Sequence, residues 1–195
     1  MFSVLFEVHP APEQWEAYLG NAKLLRPELE KVDGFVDNIR YRSLNREGWL
    51  LSLSSWRDEK ALVRWRTQAK HHAIQEQRLD ETQVGEGTTV TLVDARRDPE
   101  WVKTKRPEEV ARWLGLDRMA PGFVAGDLFE AVLSPGEIIL LVSWRDHAAA
   151  EAFELQHRLP DGARLRRVRV VRDYGMYDRR EAPQYYPEVQ PRLPR

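Results

Sequence analysis

His71 and His72 are the only adjacent side chains in the sequence that both titrate near neutrality. A neutral imidazole can take the proton of an acidic hydroxyl such as a phenol, so the pair is a candidate general base. Both lie in a segment in which Leu62, Trp65, Ala69 and Ala73 recur at helical spacing. On a helix, His72 falls about 20° from Trp65 on that inner stripe, while His71 points well away from it. The alternative for both is a solvated or half-buried place on the helix surface. Glu7 and Tyr41, on two strand-like segments, are candidates to position a hydroxylated small molecule, and each serves equally as a surface or packing residue. Arg164, Arg166, Arg167, Arg169 and Arg172 form a basic run. Without a glycine-rich phosphate loop, zinc spacing or an RNA-binding motif, that run reads as a solvated strand face paired with acidic neighbours. The chain has no cysteine, hence no thiolate nucleophile, thiolate metal site or disulfide.

The elements that must position these residues follow from periodicity. Phe2, Val4, Phe6 and Val8 alternate with Ser3, Leu5 and Glu7 as in a strand. Pro12 suits a first helical turn, and Trp15, Leu19, Ala22, Leu25, Leu29 and Val32 predict an amphipathic helix over residues 13–32, with a kink or a fresh turn at Pro27. Strands are expected from Phe35 to Leu44 and from Trp49 to Trp56, joined by a turn near Asn45–Gly48. Asp58 is placed to cap the helix that carries Trp65.

The same order recurs. Gly34-Phe35-Val36 is answered by Gly122-Phe123-Val124, and Ser55-Trp56-Arg57-Asp58 by Ser143-Trp144-Arg145-Asp146, both at an offset of 88 residues. Gly48 and Gly136, and Tyr41 and Phe129, share that offset. Val90 to Arg96 matches the first strand, Asp98-Pro99-Glu100-Trp101 opens a helix, and Leu165 to Asp173 reads as a closing strand. Common offsets at separate features indicate duplication; the rivals are two unrelated domains sharing a short motif, or one domain with a long insertion. The expected division is residues 1–85, residues 86–174, and a Pro/Tyr-rich extended arm over 175–195 that lies across its own unit pair or a partner chain. The fold class expected is α+β.

Lys+Arg 30 against Asp+Glu 31 gives a net charge of −1 over 195 residues, which offers nucleic acid or an anionic membrane no bulk attraction. No apolar run approaches the roughly 20 residues that span a bilayer, and residues 1–4 lack the pattern of a secretory leader. A cytoplasmic protein with a small-molecule substrate, and neither nucleic acid nor membrane as partner, is the expectation.

Several stretches together resemble the antibiotic biosynthesis monooxygenase family: Phe6-Glu7-Val8 with Pro10-Ala11-Pro12, Leu25-Arg26-Pro27, Asp33-Gly34-Phe35, and the run from Leu51 to Asp58. Trp65-Arg66, His71 and the terminal run from Val170 to Gly175 add to it. The resemblance is close over about the first 80 residues and in the closing strand, and lies in pattern alone over residues 86–160. It implies two ferredoxin-like β-α-β-β-α units packed as a dimeric-type α+β barrel, here within one chain, as a monomeric pseudo-dimer or a homodimer. The family includes cofactor-free oxygenases of polyphenols, haem-degrading enzymes, isomerases and members without known activity. The resemblance implies a cofactor-independent monooxygenase of an electron-rich aromatic or quinol-type metabolite, in which Trp65 faces the substrate cleft and His71, six residues on, is favoured over His72. The alternative for Trp65 is a core tryptophan. A haem-binding or haem-degrading protein is the second reading, with a histidine as iron ligand, although the family's haem degraders place that histidine about one turn later and carry an asparagine where this chain has Glu7 or Val8. A non-catalytic ligand-binding or stress-associated pseudo-dimer is the third. Phe153, Leu159 and Pro160 replace the tryptophan and histidines in the second copy, so chemistry is expected in the first.

Overall fold

In the computed structural model, which describes residues 1–68, 81–82 and 86–173, the alternating apolar residues of the N-terminus form β1 (Phe2–His9). A short 3-10 turn at Pro12–Gln14 leads into α1 (Trp15–Glu30), followed by β2 (Phe35–Ser43), β3 (Leu50–Trp56), α2 (Glu59–Arg66) and the two-residue β4 (Glu81–Thr82). The second half gives β5 (Thr89–Arg96), α3 (Pro99–Thr104), α4 (Pro107–Trp113), β6 (Phe123–Ala131), β7 (Glu137–Trp144), α5 (His147–Gln156) and β8 (Arg164–Arg169). The fold is α+β. Ala69, Ala73, His71, His72 and the arm from residue 175 lie outside the described residues.

The chain divides into two units, one drawn from Met1–Ile39 and Gly48–Val84, the other from Arg40–Glu47 and Gly85–Asp173. In the first, the strands run in the order β4-β1-β3-β2, and β1 pairs antiparallel with β3 from Phe2↔Trp56 to Val8↔Leu50. In the second, β5 lies between β7 and β8, with β6 beyond β7, all antiparallel. The C-terminal residues of β2 group with this second unit, where Tyr41 stands opposite Ala131.

The repeated motifs have a structural cause. Gly34 and Gly122 take φ of 91° and 78°, a region that L side chains avoid. Each carbonyl accepts the backbone N–H of the motif arginine, Arg57 at 2.7 Å and Arg145 at 2.8 Å. A Cβ on either glycine would come within 2.6 Å of Ala61 or 2.5 Å of Ala149, residues that again stand at the repeat offset. The motif aspartates are helix N-caps: Asp58 accepts from Ala61 N at 2.8 Å and Asp146 from Ala149 N at 2.9 Å. The motif tryptophans are buried, and their indole N–H groups donate to Ser54 Oγ and Thr91 Oγ1. The repeat is therefore a strand-to-helix joint.

The backbone N–H of the helix holds each cap carboxyl below the usual carboxylate range, with the neighbouring arginine adding to the effect. A carboxyl depressed in the fold contributes stability above its unfolded value, and the contribution is lost as pH falls through the folded value. Asp146→Ala is therefore expected to lower the thermal unfolding midpoint at pH 7. The gap to the parent chain should close as pH drops below 3.8, the carboxyl's ordinary value, through the lower value it holds in the fold. Circular-dichroism melts over that range check this; a gap constant with pH would show that the carboxylate charge plays no part.

Two details differ from the periodicity. Pro27 sits inside α1 without ending it: Pro27 and Lys23, whose carbonyl loses its partner, are both exposed, so water can satisfy the orphan acceptor. The second unit carries two short helices where the first has one of 16 residues. Pro107 disfavours the helical conformation at the preceding residue, and Arg106 is extended at φ −70°, ψ 143°.

Candidate active site

Strand alternation and the pairing register assign the side chains of β1 and β3 to a face. Trp56 belongs to a buried cluster with Leu25, Leu29 and Val32 from α1 and its C-terminal end, and with Ala61 and Trp65 from α2. Phe2 and Val4 pack on that cluster and stand opposite Trp56 and Ser54. Continuing by twos along the same face come Phe6, paired with Ser52, and Val8, paired with Leu50. This is the helix-covered face. Ser3, Leu5 and Glu7, opposite Ser55, Leu53 and Leu51, point to the other.

The helix-covered faces of the two units differ in polarity and closure. In the second unit it is an apolar core in which Val93, Leu128, Leu140 and Val142 are at most 1% exposed, sealed by Val110, Leu114 and Phe153. In the first, the positions matching Gly126, Leu140 and Val142 at the repeat offset are Asn38, Ser52 and Ser54. Phe6, Asn38 and Ser52 are only half-buried, and the hydrophobic cluster reaches Val4 without including Phe6. Among the described residues, the first unit thus has a polar, half-buried strip, or recess, on its helix-covered face, where the second unit is apolar and closely packed.

Asn38 is the distinctive group of this recess. Its amide nitrogen donates to Ser52 Oγ at 3.0 Å and to the Leu53 carbonyl at 3.4 Å. A carbonyl can only accept, so the amide nitrogen must face Leu53, and Oδ1 is directed away from both partners. That oxygen is buried and has no hydrogen-bond partner. A buried acceptor left unpaired costs about 1–3 kcal/mol.

The residues singled out in the sequence are dispersed. Trp65 is 8% exposed and lies within the hydrophobic cluster with Trp56 and Ala61, so its ring packs in the core at the end of the recess. Phe153, its counterpart, is buried against Trp144 at a centroid distance of 5.2 Å, and Leu159 packs on the same core. Glu7 is on the opposite face of the sheet from Trp65, so these two do not share a site. Tyr41 is buried in the second unit, its hydroxyl 3.5 Å from Glu137 Oε1. Of the basic run, Arg164 and Arg166 pair with Asp94, and Arg167 with Glu154, as expected of a strand face with acidic neighbours. The buried carboxylates Glu130 and Asp127 have structural partners: Glu130 accepts from Arg42 at 2.6 Å and from Gly136 N at 3.0 Å, and Asp127 accepts from Ser43, Asn45 and Arg46. Among the described residues, no three or more of His, Cys, Asp and Glu are grouped to hold a metal ion. No helix among them is long and apolar enough to cross a membrane. The histidines proposed as base or haem ligand lie outside the described residues, so the structure does not test them.

The chain belongs to the antibiotic biosynthesis monooxygenase family, and is a monooxygenase-like member of it. The family model named antibiotic biosynthesis monooxygenase matches residues 1–77, which include the whole polar recess. A protein of Pyricularia oryzae named jasmonate monooxygenase ABM is 45% identical, in a match that covers 96% of this chain and 99% of that one. Among solved structures, an aldoxime dehydratase aligns over 80% of this chain and 72% of its own at 13% identity and TM-score 0.46. An anthrone oxidase-like protein aligns over 88% and 91% at 16% identity and TM-score 0.35.

Proposed function

We propose that the protein is an oxygen-dependent monooxygenase of a small oxygenated carbocyclic acid of the jasmonate type, bound in the recess of the first unit. The observation that carries this reading is the match to jasmonate monooxygenase ABM, which runs the length of both chains. The asymmetry between the units supports the location. Among the described residues, only the first has a half-buried, polar helix-facing strip, and the family model falls on the first. The apolar cluster around Trp65 and Phe35 suits the hydrocarbon part of such a substrate, and the Ser52 hydroxyl, which can still donate, suits a ketone or carboxylate oxygen.

Electron balance separates this substrate class from the electron-rich aromatic or quinol class that the family resemblance implies. Hydroxylating a saturated carbon turns one oxygen atom into alcohol and the other into water, and takes two electrons from outside, supplied by a reduced nicotinamide or flavin. A quinol or anthrone supplies those electrons itself: its ionised hydroxyl passes an electron to oxygen, and the ring ends as the quinone or ketone plus water. The expectation of no cofactor belongs to this second class, with a base such as His71 or His72 removing the proton.

The test is turnover under ¹⁸O₂ with mass spectrometry of product, using jasmonic acid and an anthrone, each with and without reduced nicotinamide and flavin. One ¹⁸O atom is expected in hydroxylated jasmonate, only with reductant present. Label in the anthrone product alone, without reductant, would replace this substrate assignment with the second. A haem absorbance band that titrates to one equivalent on the chain would favour the haem-binding reading. No product in any arm would leave a ligand-binding protein.

A further inference from the structure

Asn38 is a half-buried strand residue whose two amide nitrogen bonds, to Ser52 and Leu53, fix the direction of its oxygen. The oxygen is buried and unpaired. Packing requirements of the unit do not call for this arrangement, since the second unit fills the matching positions with Gly126, Leu140 and Val142 and closes the same face completely. The first unit instead keeps a fixed amide where the second unit has apolar filling. An oriented acceptor without a partner is complemented by a ligand that brings a donor, and repels a ligand that brings only another acceptor at that point.

We infer that Asn38 is the specificity-determining residue of the recess: its Oδ1 accepts a hydrogen bond from a hydroxyl of the bound small molecule, and Ser52 holds the amide in the accepting orientation. The ligand class is therefore one that presents an alcohol, enol or phenol hydroxyl on its ring, with a carboxylate or bare ketone disfavoured at this point. This inference rests on the reading that the recess binds a small oxygenated molecule. Because the oxygen is closed off in the unliganded chain, binding must also displace the neighbour that now shields it.

The experiment compares ligands that differ in the donor: cucurbic acid, in which a hydroxyl replaces the ring ketone, against jasmonic acid, and a hydroquinone against its dimethyl ether. Calorimetric titration of the parent chain is expected to favour the hydroxyl-bearing member of at least one pair by tenfold or more. Asn38→Leu should bring that ratio to near one. Asn38→Asp, at acidic pH where its carboxyl is protonated, keeps one donor toward Ser52 and Leu53 and an acceptor in the place of Oδ1, and should retain the preference there, which a merely structural role for the side chain would not produce. It also serves as the informative variant if Asn38→Leu does not fold, as judged by circular dichroism. Ser52→Ala should weaken the preference without abolishing it. A parent chain that binds all four ligands equally or none of them, a ratio unchanged in Asn38→Leu, or a ratio lost in a folded Asn38→Asp whose carboxyl is protonated would each overturn the inference. Labelled product under ¹⁸O₂ together with such a failure leaves the monooxygenase reading standing. A hydroxyl preference that depends on Asn38, without turnover, removes that reading and keeps the binding site.

Discussion

Trp144→Ala is expected to unfold the second unit under conditions where the parent chain is stable. The side chain is fully buried, contacts Phe123 and Phe153 in ring pairs, and donates its indole N–H to Thr91 at 3.0 Å. Truncating a buried aromatic of this size costs about 3–5 kcal/mol through lost transfer energy and the cavity left behind. Thr91, itself 0% exposed, would lose its donor as well. Domains are stable by only about 5–15 kcal/mol in total, so this loss removes a large part of the margin. A denaturation midpoint in urea that falls steeply, at an unchanged slope, is the expected result. Trp56→Ala should cost less, because Trp56 donates to Ser54 two residues away on its own strand and packs in a smaller cluster. Equal losses in the two variants would mean that the units do not differ in packing as their cores indicate.

Ser52→Leu carries the largest expected effect on function. It writes the second unit's residue, Leu140, into the matching place of the first and fills the floor of the recess beside Phe6. It also removes the hydroxyl that accepts from Asn38. Turnover should fall at least tenfold, which corresponds to about 1.4 kcal/mol in the barrier. The unfolding midpoint should hold or rise, since apolar area is buried where a half-exposed hydroxyl stood. A variant that stays folded and fully active would place the reaction outside this recess.

The repeated motifs were legible before any coordinates because they are local backbone devices. A glycine at positive φ, an aspartate that caps a helix and a tryptophan at a strand end each need one residue type at one place, and the fold needs them once per unit. The strand alternation of β1 and the helical stripe of α1 were legible for the same reason, since period and side are set by the chain's own geometry. The recess was not identified, although its signal was present: the same offset that aligns the motifs sets Asn38, Ser52 and Ser54 against Gly126, Leu140 and Val142. Polar residues in a strand read as solvent-facing from the sequence. Only the register, with Ser52 opposite Phe6 and Trp56 opposite Phe2, puts them on the face that the helices cover.

What the sequence determined by itself is the order of elements, their repetition, and the family to which the chain belongs. What the tertiary structure decided is which side chains share a face. Trp65 goes into the core and Glu7 to the opposite side of the sheet, so two candidates that look alike in one dimension do not meet. Tyr41 groups with the second unit, opposite Ala131, because β2 continues past its partner β3 into a pairing with β6. The unpaired oxygen of Asn38 depends on where Leu53 presents its carbonyl, fifteen residues away along the chain. Pairing between strands fixes such relations, and pairing is a property of the folded sheet rather than of any segment within it.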